Sequence, residues 1–155
     1  MQRHVKLLVA VLALCIVGGA ISCQSVKRKL NISETVSDPA PGTPEKVVQD
    51  VLKAATNPDQ EEGWIQFTRT LHTDETEAVI AMKGWKEMKY PSLRRKADYF
   101  ITDKAATAYK ILDRQEEGSN LLLFVVSSQA EYPTPCRLKR DAAQGNAWKV
   151  VSACL

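Results

Sequence analysis

Apolar residues recur at helical spacing through the first half of this chain, then alternate or run together through the second. Thr43-Pro44-Glu45 has the chemistry of a helix start: a capping hydroxyl, a proline where no N–H is needed, and an acid at the positive end of the helix dipole. Val47, Val48, Val51, Leu52 and Ala55 follow on one face, and Asn57-Pro58 ends the helix. A second helix is predicted from Asp59 to Leu71, with Trp64, Phe67 and Leu71 inward. A third starts at Thr73 or Asp74, carries Ala78, Val79, Met82, Trp85 and Met88 on its apolar face, and breaks at Tyr90-Pro91. A shorter fourth, Ser92 to Ile101, buries Leu93, Ala97 and either Phe100 or Ile101.

Beyond these helices the pattern changes. Thr107 to Glu116 is predicted as a strand and Glu117-Gly118-Ser119-Asn120 as a turn. Leu121 to Ser128 is apolar on both alternating faces, which suits a central strand. Pro133 and Pro135 interrupt, and Cys136–Asp141 pairs with Ala147–Cys154. A hairpin turning at Gln144-Gly145-Asn146 sets Cys136 opposite Cys154, at a separation that suits a disulfide. The same register puts Leu138, Trp148 and Val150 on the cysteines' face, and Arg137, Lys139 and Lys149 on the other. Helices followed by antiparallel strands make the fold class α+β, with about four strands.

Ahead of these elements, Met1 to Lys6 is short and basic, and Leu7 to Val17 is apolar without a break. Gly18-Gly19-Ala20-Ile21-Ser22 then supplies small residues before Cys23, completing the parts of a secretory signal. Leu7 to Ile21 offers 15 residues, short of the roughly 20 that a membrane-spanning helix needs. Ala20-Ile21-Ser22-Cys23 resembles the lipobox of bacterial lipoproteins, with Ala20 where leucine is usual. The resemblance implies cleavage before Cys23 and its acylation, palmitate included. Gln24, rather than aspartate, implies outer-membrane placement in a cell with two membranes. An ordinary signal-peptidase cut after Ala20 competes. Of four cysteines, Cys15 leaves with the signal while Cys136 and Cys154 pair, so lipidation gives Cys23 a use. The expected organisation is a signal peptide over 1–22, a lipid-anchored flexible tether over 23–43 and one globular domain over 44–155. Within the tether, Lys27-Arg28-Lys29 reads either as attraction to anionic headgroups or as solvated linker charge.

Charge excludes one class of partner. The net charge is +3, but removing Arg3 and Lys6 from the 21 basic residues leaves 19 against 18 acidic. Nucleic-acid binders carry a strong basic footprint, so nucleic acid is not an expected partner. His72 is the one histidine beyond the signal, and beside Thr73-Asp74-Glu75 it reads as a partly exposed helix-cap residue rather than a catalytic one. With the cysteines assigned, no zinc-type ligand cluster remains, and no Gly-rich phosphate loop occurs, so neither metal nor cofactor is expected. Arg94-Arg95-Lys96 reads better as a solvated helix face than as a site for an acidic partner.

Helices first, then a meander ending in Ala147-Trp148-Lys149-Val150-Val151, is similar to the cystatin-like folds, especially the nuclear transport factor two-like superfamily. Thr43-Pro44-Glu45-Lys46-Val47-Val48 also resembles the opening helix of small bacterial envelope members. The resemblance implies N-terminal helices packed on a curved antiparallel sheet, forming a cone whose candidate pocket walls include Trp64, Trp85, Tyr99 and Tyr109. The functional expectation is a non-catalytic envelope lipoprotein acting as a binding or adaptor module. Its partners are the membrane, through the N-terminal lipid, and an envelope protein or a small apolar ligand. Two alternatives stay open. An enzyme of the cone-shaped fold would use a pocket Asp or Tyr and needs a buried carboxylate of raised pKa. A structural or assembly role predicts an unusually large exposed apolar patch.

Overall fold

The structure, a computed structural model, describes residues 32–155. The expected signal peptide, Cys23 and the first part of the tether lie outside the described residues. Among the described residues the fold is α+β, with helices packed on an open antiparallel sheet.

Helix α1, Pro44–Thr56, begins as its sequence dictates, with the Thr43 hydroxyl accepting from the Lys46 amide. Its inward face, Val48, Val51, Leu52 and Ala55, is buried. Helix α2, Gln60–Thr68, is capped by Asp59, whose carboxylate accepts from the Glu61 and Glu62 amides. Gly63 is where α2 meets its neighbours. A Cβ there would lie 2.5 Å from the Tyr90 hydroxyl and 2.6 Å from the Ala54 carbonyl oxygen. The missing side chain leaves room for Tyr90 to donate to Ala54 O at 3.0 Å.

The predicted third helix differs from the structure in two ways. It divides at Ala78 into α3, Thr73–Glu77, and α4, Val79–Gly84. It then runs through Tyr90-Pro91 by way of a π turn at Trp85–Lys89 into α5, Tyr90–Lys96. The Tyr90 amide reaches back five residues to Trp85 O, and this wider turn accommodates the proline ring and its missing N–H without a break. The apolar face is only partly used. Trp85 is buried, but Val79, Ile80 and Met88 are 82%, 88% and 67% exposed. The following segment does bury Leu93, Ala97 and Phe100 as expected.

Among the described residues six strands form the sheet, two more than expected: β1 Glu34–Val36, β2 Ile101–Asp103, β3 Ala108–Glu117, β4 Asn120–Val125, β5 Thr134–Asp141 and β6 Ala147–Cys154. Their order is β1-β3-β4-β5-β6, with β2 also pairing β3. Both missed strands are three residues long, too short to show a period. Strand β1 falls in the stretch assigned to the tether, so the folded domain begins earlier than residue 44. Arg114 on β3 clasps it, bonding Glu34 and Glu45 at 3.0 Å each. Strand β4 is central, and its adjacent Leu122 and Leu123 are both buried.

The last hairpin carries the expected disulfide between Cys136 and Cys154. Nearer the turn, however, Leu138 pairs with Val150 and Asp141 with Ala147. The turn sits one residue earlier than predicted, with Gly145 and Asn146 both left-handed. A bulge at residues 151–153 absorbs the offset, and Ser152 takes φ 59° there.

Candidate functional site

Of the four aromatic residues assigned to one pocket, the structure brings two together. Trp64 and Trp85 belong to a cluster joined by Phe67 and Tyr90, with centroids 4.9 Å apart for Phe67–Tyr90, 5.3 Å for Trp64–Tyr90 and 5.5 Å for Phe67–Trp85. Tyr109 is fully buried on β3 and donates its hydroxyl to Glu45 O at 2.7 Å. Burial, reinforced by the charge of Glu45 and opposed by Arg114, pushes its phenol well above the ordinary value, so it remains a neutral donor. Tyr99 is 44% exposed and faces a separate shallow cleft with Phe100, Ser127 and Gln129. Among the described residues no buried side-chain nitrogen or oxygen lacks a hydrogen-bond partner.

Two polar junctions fasten the helical segment 70–75 to the outer edge of β6. Backbone bonds come first: His72 N donates to Val150 O at 2.9 Å and Val150 N to Thr70 O at 2.8 Å. These seal an edge that would otherwise offer unpaired groups to another strand. Beside them lies Asp141, only 1% exposed. It accepts from the Thr73 amide and hydroxyl at 2.8 and 2.7 Å, from Gln144 at 2.8 Å and from the Ala143 amide at 3.0 Å. Burial alone would raise its pKa. The Thr73 bonds, nearby His72 and the Ala143 amide outweigh burial and hold it at about 2. A carboxylate held ionised in this way is the opposite of a general acid. His72 caps α3 as expected, its Nδ1 accepting from Asp74 N, but it is buried rather than partly exposed because β6 covers it.

The second junction is Glu75. One oxygen accepts from the Trp85 indole at 2.6 Å and the other from Ser152 N at 2.9 Å, while Lys89 donates to Ser152 O at 2.7 Å. The π turn and the left-handed bulge are thus held by one carboxylate and one ammonium. Sequence reading passed over both Glu75 and Asp141. An acid at a strand end before Ala142-Ala143 hinted at a turn cap, but nothing local marked Glu75.

What remains open to a partner is surface. One cleft of about 440 Å³ is polar, and its cations are engaged: Arg94 donates to Asn57 O and Lys104 pairs with Asp98. A smaller apolar cleft of about 290 Å³ lies between Trp85 and Met88 on one side and Ser152 to Leu155 on the other. Met88 also continues the exposed face of α4. Ile80, Gly84 and Met88 recur every four residues, so they align along one side, and nothing stands within 4 Å of a Cβ at Gly84. Of the exposed residues, Val79 and Met88 were expected on the apolar face with Trp85, and both stand outside the core. Ile80 was not placed on that face, and it points about 100° away from Val79 on the helix.

Among the described residues no cluster of three or more His, Cys, Asp or Glu is arranged to hold a metal ion, and no helix is long and apolar enough to cross a membrane. Cys23, the expected lipidation site, lies outside the described residues. No protein-family model, curated protein or solved structure matches the chain.

Proposed function

We propose that this chain is an exported lipoprotein, cleaved before Cys23 and acylated on it, whose domain is a non-catalytic binding or adaptor module of the cell envelope. The observation that carries the binding half is the contrast between interior and surface. The domain fills its core with its own aromatic rings, yet leaves Val79, Ile80 and Met88 outside on one helical stretch. Binding through a surface fits that arrangement better than chemistry in a cavity, and Asp141 is shifted in the wrong direction for an acid catalyst. The anchoring half rests on the sequence: basic start, apolar run, Ala20-Ile21-Ser22-Cys23 and the odd cysteine. Gln24 after Cys23 favours the outer membrane of a two-membrane cell.

Native mass spectrometry of protein gently extracted from membranes tests the reading. The expected mass begins at Cys23 with acyl groups added, arriving bare or with a bound protein. A retained small apolar molecule would instead assign the binding role to the cleft beside Met88. A chain starting at Ile21 without acyl groups would overturn the anchoring.

A further inference from the structure

We infer that the exposed face of α4 and its π turn is a second membrane contact, laying Val79, Ile80 and Met88 against an anionic lipid surface. The inference rests on the lipoprotein reading above and names what that surface binds.

Charge is the first support. Val79–Lys96 carries Lys83, Lys86, Lys89, Arg94, Arg95 and Lys96 against one acid, Glu87. The rest of the chain beyond the signal has 13 basic and 17 acidic residues, so positive charge is concentrated on this stretch. Lys86 and Lys89 lie over the Trp64 and Trp85 rings, 5.9 and 4.0 Å from ring centroid to ammonium. Exposed apolar side chains among lysines are the pattern of a helix lying in the headgroup region. Glu77 and Asp98 flank the stretch and Glu75 reaches Trp85 from α3, which with Glu87 is still fewer acids than the six cations.

Reach is the second support. The ten residues from Gln24 to Ser33 span at most about 36 Å even when fully extended. A domain of this size has a radius of gyration of about 14 Å. A bilayer holding Cys23 therefore lies within roughly one domain diameter, and its effective concentration at any face able to turn toward it is high. A soluble acidic protein would satisfy the charge but not this enforced proximity.

The full chain, processed in cells and purified, is reconstituted into vesicles of phosphatidylethanolamine and phosphatidylglycerol carrying brominated acyl chains. Ile80→Trp supplies the reporter at a position 88% exposed, and emission is compared with the unsubstituted chain. The added emission is expected to shift to the blue and be lost to bromine quenching. Adding Lys83→Glu and Lys86→Glu should restore most of it while the protein still floats with the vesicles. Floating protein whose added emission stays at the water-exposed wavelength, unquenched, overturns the inference and leaves the anchor intact. A blue shift without quenching assigns the face to a second protein and overturns it too. Protein that lacks acyl mass and leaves the vesicles overturns both readings.

Discussion

Helix α1 and the α4 stretch are both rich in apolar residues and meet opposite fates. In α1 the inward residues Val48, Val51, Leu52 and Ala55 are buried, and polar Asp50 and Lys53 face away. In α4 the apolar residues surround the helix, so only Trp85, with half-buried Met82, can turn inward while Val79, Ile80 and Met88 stay in water. Periodicity reveals that apolar residues exist on a face. It does not supply the surface that covers them.

The comparison can be broken most forcefully at the core. Phe67→Ala should remove about 3–5 kcal/mol of stability in urea unfolding, because it empties the centre of the four-ring cluster. Cys136→Ser should cost about 3 kcal/mol under oxidising conditions by reopening an 18-residue loop, without moving the protein between cell fractions. Gly63→Ala should cost about 1–3 kcal/mol through its contact with the Ala54 carbonyl, although alanine is the better helix former. That sign, measured as a lowered denaturant midpoint, separates packing from propensity.

Asp141→Asn sharpens the comparison at the sealed edge of β6. The folded pKa of Asp141 is about 2 against an ordinary 3.8, so its charge contributes stability above about pH 4 that is lost as pH falls toward 2. The variant should be less stable at neutral pH by about 1–3 kcal/mol, the worth of bonds to a charged acceptor. It should also show a flatter stability curve over that acid window. An unchanged acid limb would place the acid sensitivity elsewhere. The smallest effect belongs to the exposed face: Ile80→Ala should change stability by less than about 0.5 kcal/mol. A loss near that of Phe67→Ala would mean that the face is covered in solution.

Much of the fold was legible where local chemistry decides. Thr43-Pro44-Glu45 and Asp59 announced their helices because capping is satisfied within a few residues. The cysteines fixed their own pairing across the last hairpin, but the bulge between them was not visible, because the strained Ser152 is held by Glu75 and Lys89 from distant helices. Strand β1 escaped because three residues pair with β3 without a pattern of their own. Trp64, Trp85, Tyr99 and Tyr109 were grouped by a resemblance, and folding brings Trp64 and Trp85 into one cluster with Phe67 and Tyr90 while Tyr109 is buried on β3 and Tyr99 stays exposed.

The sequence by itself determined the starts of α1, α2 and α3, the end of α1, the central position of β4 and the disulfide partners. It also supplied the signal-like start, whose meaning rests on chemistry at Cys23. The tertiary structure alone decided which apolar face is buried, that Pro91 is threaded by a π turn, and that Asp141 stays ionised while buried. The physical reason is range. Caps and turns are settled by neighbours along the chain, whereas burial, strain and desolvation depend on atoms that only folding brings together.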